Sequence, residues 1–195
     1  MGAPDADNVD PEFDKQGLNS VPPRRLTREL EEVGEETFRQ RYPCAFLVLA
    51  LDPGPAGHDL DLKTTESSLS KFEASAIPSI GARVSPLLKS DRNGYKSKIM
   101  VGRARNNDVI IRASKISKLH ASFSLDGKGG YSLQDMGSMN GTMVNGERLV
   151  GMKRTAVSSG DWISFWRYLF EFVGLDEMLK RLSAGSGAPG PAPKP

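Results

Sequence analysis

Between residues 82 and 173 the chain runs in short apolar stretches, broken by turn-forming residues every eight to twelve positions. This rhythm limits the fold more than any other feature. Strands so short, joined by such brief turns, bury their apolar faces by stacking as two sheets, so the spacing predicts a β-sandwich. Strands are expected near 82–88, 96–101, 108–111, 120–125, 131–135, 142–144, 147–149, 155–157, 161–165 and 168–173. Asn93-Gly94, Asp126-Gly127 and Asn145-Gly146 tolerate positive φ and are expected to close tight hairpins, and Gly160-Asp161 turns the chain into the next strand.

The first part of the chain has a different texture. Helix formers dominate from Leu26 to Tyr42, with Thr27 as the expected N-cap, Glu29, Glu31 and Glu32 in the opening turns, and Gly34 placed to break the helix into two pieces. Pro43 stops it, and the eight apolar residues from Cys44 to Leu51 read as one buried strand. Residues 52–80 form a connector, with a short helix near 69–76; Thr64 and Thr65 offer hydroxyls there that a kinase could modify. Leu175, Met178, Leu179 and Leu182 have helical spacing. Residues 1–23 hold five acids against Lys15, and residues 184–195 are nearly all Ala, Gly, Ser and Pro. Both are expected to be disordered, for want of apolar surface to bury. The resulting map is an acidic tail (1–23), a helix-strand extension (24–51), a connector (52–80), a β domain (81–174), a short helix (175–183) and a second tail (184–195).

A net charge of +2 gives no basis for a nucleic-acid partner. The charge is uneven, however: from Arg103 to Lys118 five bases stand against Asp108, which draws anions to those loops. Cys44 is the only cysteine, so no intrachain disulfide can form, and a small buried hydrophobe suits its apolar run better than a reactive thiol. That run is far short of the ~20 residues that span a bilayer, and the acidic N-terminus lacks the apolar core of a secretory signal. A cytoplasmic location without membrane contact is expected.

Three clusters lie at strand ends: Gly102-Arg103, Ser117-Lys118-Leu119-His120, and Gly137-Ser138-Met139-Asn140-Gly141-Thr142. Arg103 and Ser117 are 14 residues apart, and Ser117 and Asn140 are 23 apart. Each cluster is weak alone, but their order gives them weight. Arg103 supplies a planar fork of donors, Ser117 a hydroxyl and Asn140 an amide, a set suited to gripping a phosphate on an extended peptide. Enzymatic signatures are missing: there is no His-Glu-x-x-His, no Gly-x-Ser-x-Gly and no phosphate-binding loop ending in Gly-Lys-Ser/Thr. With only His58 and His120, histidine-based catalysis has little to use. No catalytic residue, metal site or cofactor is expected.

In this order, and continued by Val144-Asn145-Gly146 and Gly160-Asp161-Trp162, the clusters resemble those of the forkhead-associated (FHA) domain, over about residues 82–173. The resemblance implies a mainly β fold: an FHA-like eleven-stranded β-sandwich, here with an N-terminal helix-strand extension and a short C-terminal helix. It further implies an interaction module, not an enzyme, that binds phosphothreonine peptides through loops at one end, in Ser/Thr kinase signalling. Its partners would be a phosphothreonine-containing protein or peptide, and a kinase or its substrate. By position in the motif, Arg103 and Ser117 would contact the phosphate, Asn140 the peptide backbone, and Lys118 would assist. Lys115 would help to read the residue three beyond the phosphothreonine. Met139 stands where relatives often have a polar residue, which bears on peptide preference. Gly102, His120 and Gly141 would support the loops, Gly102 by letting the backbone turn. The alternative is a phospho-independent assembly module on the same fold.

Overall fold

The computed structural model describes residues 20–51, 83–126 and 128–184. Most of the acidic tail, the connector with Thr64, Thr65 and its expected helix, Gly127, and the C-terminal tail beyond Ala184 lie outside the described residues. Eleven strands form two sheets, so the protein is mainly β. They are β1 (Phe46–Leu51), β2 (Arg83–Pro86), β3 (Ile99–Gly102), β4 (Val109–Ile110), β5 (Ala121–Leu125), β6 (Tyr131–Asp135), β7 (Thr142–Val144), β8 (Glu147–Arg148), β9 (Arg154–Val157), β10 (Trp162–Phe165) and β11 (Tyr168–Val173). One sheet has the order β2-β1-β11-β10-β7-β8, the other β4-β3-β5-β6-β9. All pairs are antiparallel except the short β3–β4 pair.

Alternation along the strands accounts for the core between the sheets. Tyr168, Phe170 and Phe172 of β11 point inward and meet Val101, Phe123 and Leu133 of the facing sheet. Phe123 stacks on Phe172 with ring centroids 6.0 Å apart, and Tyr131 meets the same ring edge-on at 5.3 Å.

The strand read at Cys44–Leu51 could have packed on the sandwich or joined an edge; it lies inside the sheet, between β2 and β11. Both of its faces are covered, which is why its sequence is continuously apolar and not alternating. Ala45, Leu47 and Leu49 enter the inter-sheet core. Phe46 and Val48 face the other way, into a second core with Leu26 and Phe38 of α1 (Pro23–Arg41) and Met178, Leu179 and Leu182 of α2 (Leu175–Ser183). Glu171, the one charged residue of β11, also lies on that side and is bound bidentately by Arg181 at 2.8 Å on each oxygen. Cys44 is buried in this second core, and loss of solvent pushes its thiol up to about 12.

Several local expectations need correction. α1 starts at Pro23, whose fixed φ suits the first helical position, so Thr27 is not the N-cap. Thr27 instead donates its hydroxyl back to Pro23 O at 3.3 Å, and no acid stands in the first turn. Gly34 does interrupt the helix, at φ 78°. Asn93-Gly94 closes no hairpin, because β2 and β3 belong to different sheets. Asn93 is buried, its amide donating to Lys98 O at 2.8 Å and to the Asp108 carboxylate. Asn145-Gly146 makes the tight β7–β8 turn with φ 51° and 83°. The β5–β6 hairpin uses a longer loop, in which Asp126 Oδ1 accepts the N–H groups of Lys128 at 2.8 Å and Gly130 at 2.7 Å.

Candidate functional site

The three clusters meet at one end of the sandwich, where β3 and β6 finish and β5 and β7 begin. Direct bonds join their loops. Arg103 N–H donates to Ser117 O at 3.0 Å, Met139 N–H to Ser117 Oγ at 3.1 Å, and Asn140 Nδ2 to Lys115 O at 2.6 Å. Arg103, Ser117 and Asn140 thus form one connected rim, and each keeps binding capacity. The Ser117 hydroxyl accepts from Met139 and still has its own hydrogen to donate. Asn140 spends one N–H on Lys115, leaving the second N–H and the side-chain oxygen. No ion pair or side-chain hydrogen bond among the described residues holds the exposed Arg103 guanidinium.

The other named residues divide into backbone and surface roles. Lys118 accepts Ala104 N–H at 3.2 Å and Asn107 Nδ2 at 2.7 Å with its carbonyl, while its side chain is exposed, as is that of Lys115. Met139 is 86% exposed, an unusual cost for an apolar side chain on a loop that Ser117 holds in place.

Gly102 is needed here for close approach and not for turning freedom: its φ is ordinary, but a Cβ would lie 2.4 Å from Lys118 O. Gly141 is required by its φ of 81°, and a Cβ there would meet the Arg148 guanidinium at 2.5 Å, the mobile end of an exposed side chain. His120, fully buried, bridges the two loops. Its Nδ1 accepts Ser117 N–H at 3.2 Å, which requires the proton on Nε2, and Nε2 donates to Gly141 O at 3.1 Å. Burial pulls its pKa below the ordinary value, against the opposing pull of the Gly141 carbonyl and Asp135. Phe165 packs edge-on to the ring at 5.7 Å.

Sequence reasoning passed over the residue that shapes the third loop. Asp135, at the end of β6, accepts N–H from Gly137 and Ser138 at 2.9 Å each, the Ser138 hydroxyl at 2.6 Å and the Thr142 hydroxyl at 2.7 Å. Burial alone would raise its pKa; the Ser138 and Thr142 hydroxyls and the Ser138 N–H reverse that and hold it low. Its signal was an Asp at a strand end followed by Gly and Ser, the pattern of a side-chain-stabilised turn. Asn107 and Asp108 were likewise missed. Both are buried: Asn107 ties the first loop to the second, and Asp108 accepts Ser90 N–H and Met100 N–H at 2.7 Å each.

Residues 99–166 match the family model for the FHA domain. An FHA domain-containing protein of Arabidopsis thaliana is 35% identical over 101 residues, which are 49% of this chain and 26% of that protein, so the chain spans about a quarter of that relative's length. The solution structure of the FHA domain of an Arabidopsis thaliana hypothetical protein is 32% identical, covering 40% of this chain and 67% of that one, with a TM-score of 0.37. The yeast Dun1 FHA domain, solved with a doubly phosphorylated peptide derived from Rad53, is 24% identical, covering 67% and 74%, with a TM-score of 0.43. The fold is that of a two-sheet β-sandwich with a loop rim at one end. Within that class of fold, this chain is an FHA domain protein.

Proposed function

We propose that the rim captures phosphothreonine in a partner protein, making the chain a phosphorylation-dependent interaction module of Ser/Thr kinase signalling in the cytoplasm. The observation that carries this reading is the bonding of the three loops that carry Arg103, Ser117 and Asn140, through Arg103 N–H to Ser117 O, Met139 N–H to Ser117 Oγ and Asn140 Nδ2 to Lys115 O, with donors on all three residues left for a ligand. Arg103 and the Ser117 hydroxyl are assigned to the phosphate, and the Asn140 amide to the peptide backbone. Lys118 is assigned a supporting charge, and Lys115 and Met139 the reading of flanking residues. Gly102, His120 and Gly141 hold the loops. A phosphothreonine carries about −1.5 to −2 charge and three acceptor oxygens, which a guanidinium matches better than an ammonium. Charge-assisted bonds of roughly 1.5–3 kcal/mol each, less the cost of ordering a peptide, place the affinity in the micromolar range. Among the described residues no helix is long and apolar enough to cross a membrane, and no cluster of His, Cys, Asp or Glu could hold a metal.

Titration with paired phosphothreonine and unphosphorylated peptides tests the reading. Arg103→Ala and Ser117→Ala are expected to abolish measurable phosphopeptide binding with the circular dichroism spectrum unchanged. Equal binding of phosphorylated and unphosphorylated peptides would favour the phospho-independent module.

A further inference from the structure

Charge at the rim end of the sandwich is one-sided. Arg103, Arg105, Lys115, Lys118, Arg148 and Lys153 all stand exposed on the loops there or, for Arg148, at the end of β8. Of the acids nearby, Asp108 and Asp135 are buried and engaged in hydrogen bonds, and Glu147, next to Arg148 on β8, is the exposed one. Among the described residues Lys89 pairs with the buried Asp108 at 3.7 Å, whereas the pairs Arg39 with Asp176, Arg41 with Glu29 and Arg181 with Glu171 lie away from the rim. Such a surface attracts polyanions generally.

Arg148 turns this general attraction into a placed contact. Its guanidinium lies over the α-carbon of Gly141, so close that a Cβ there would come within 2.5 Å of Cζ, 2.6 Å of Nη2 and 2.9 Å of Nε. A side chain at residue 141 would displace it, so the positive φ of Gly141 and the absence of a Cβ together make its seat. The planar group thus lies against Gly141, next in the chain to Asn140, the residue assigned to the peptide backbone. Among the described residues no carboxylate pairs with it and no hydrogen bond occupies its donors. A guanidinium lying at the rim without an anion offers a bidentate site to an incoming carboxylate or phosphate.

We infer that Arg148 is a specificity residue that reads a second negative group on the peptide, an acidic side chain or a further phosphate, so that the preferred ligand is an acidic phosphothreonine peptide. This rests on the phosphothreonine reading above, with Arg103 and Ser117 holding the first phosphate and Arg148 the added charge. Exposed charge pairs contribute little singly, so the effect of Arg148 alone is a few-fold, within a larger preference set by the whole rim.

The test uses the full chain and four labelled peptides: a phosphothreonine peptide with neutral flanks, the same peptide with Asp and Glu in the flanks, the same with a second phosphothreonine, and the acidic peptide without phosphate. Wild type should bind the acidic and doubly phosphorylated peptides about tenfold more tightly than the neutral one, an advantage that shrinks in high salt. Arg148→Ala should remove about two- to fivefold of that advantage and leave the neutral phosphopeptide unchanged; Arg148→Glu should remove more. Equal binding of neutral and acidic phosphopeptides by wild type overturns the inference. So does an Arg148→Ala variant that keeps the full preference, or one that loses both peptides alike, which would make Arg148 a support for Gly141 only. Comparable binding of the unphosphorylated acidic peptide would mark a general polyanion surface and also overturn it. Failure of every phosphopeptide to bind wild type would reject the phosphothreonine reading itself, and the inference with it.

Discussion

His120 is bonded to Gly141 by Nε2–H···O at 3.1 Å, and its other ring nitrogen takes the Ser117 N–H, so one neutral imidazole fixes the spacing of two loops. Protonating the ring would turn Nδ1 into a donor facing a donor. The folded-state pKa is depressed, first by burial, so below the ordinary value of 6.5 the unfolded chain binds the proton that the folded one resists. Stability from this group is therefore complete above about pH 6.5 and falls as pH drops from there towards the lower folded-state pKa. Asp135 adds a second acid-sensitive step: its depressed pKa gives stability that is present above its ordinary value of 3.8 and lost as pH falls further. Urea unfolding between pH 8 and pH 5 should show the first loss in wild type. His120→Ala should lack that slope and be destabilised at neutral pH by about 3 kcal/mol, because two buried backbone groups lose their partner. A wild-type stability independent of pH over this range would refute the assignment.

Gly102 and Gly137 should lose stability by different routes on the same substitution. At Gly102 a Cβ would strike Lys118 O at 2.4 Å, and that carbonyl is already held by Asn107 and Ala104. Gly102→Ala must therefore push the Ser117 loop outward, at about 1–3 kcal/mol and with loss of phosphopeptide affinity. At Gly137 a Cβ meets nothing within 4 Å, but φ is 76°, so Gly137→Ala costs about 1–2 kcal/mol of backbone strain alone. Thermal melts paired with peptide titration distinguish them: both variants melt lower, and Gly102→Ala loses more affinity per degree lost.

How much of this was legible in the sequence depended on whether the signal was local. The ten expected strands from residue 82 onward fall on β2 to β11 because alternation and turn residues are short-range properties, and Asn145-Gly146 closes its turn as its residue types require. Asn93-Gly94 has the same residue types but a different outcome, since Asn93 is drawn into the buried Asp108 network and the chain crosses to the other sheet. The place of β1 could not be read from its own residues: an unbroken apolar run says that both faces are covered, not by what. At the rim, side chains able to bind phosphate stood out by type, whereas the seat of Arg148 over Gly141 joins residues seven apart through a hairpin, and no single-residue signal marks it.

The position of β1 bears on what can fold alone. The family match covers only residues 99–166, and a β-domain drawn from the sequence begins at residue 81, yet β1 lies between β2 and β11 and feeds both cores. A chain of residues 81–195 would keep every rim residue but leave Phe172 and Val173 without their partners Leu47 and Phe46, and leave β2 with no neighbour in its sheet. Unpaired strand edges flanked by uncovered apolar faces invite association between chains. We expect this fragment to be aggregated or molten, and a fragment of residues 20–184 to be monomeric and to bind phosphopeptide as the full chain does. Light scattering and amide hydrogen exchange on both fragments would check it. A monomeric 81–195 fragment with protected amides in β10 and β11 would show that β1 is dispensable.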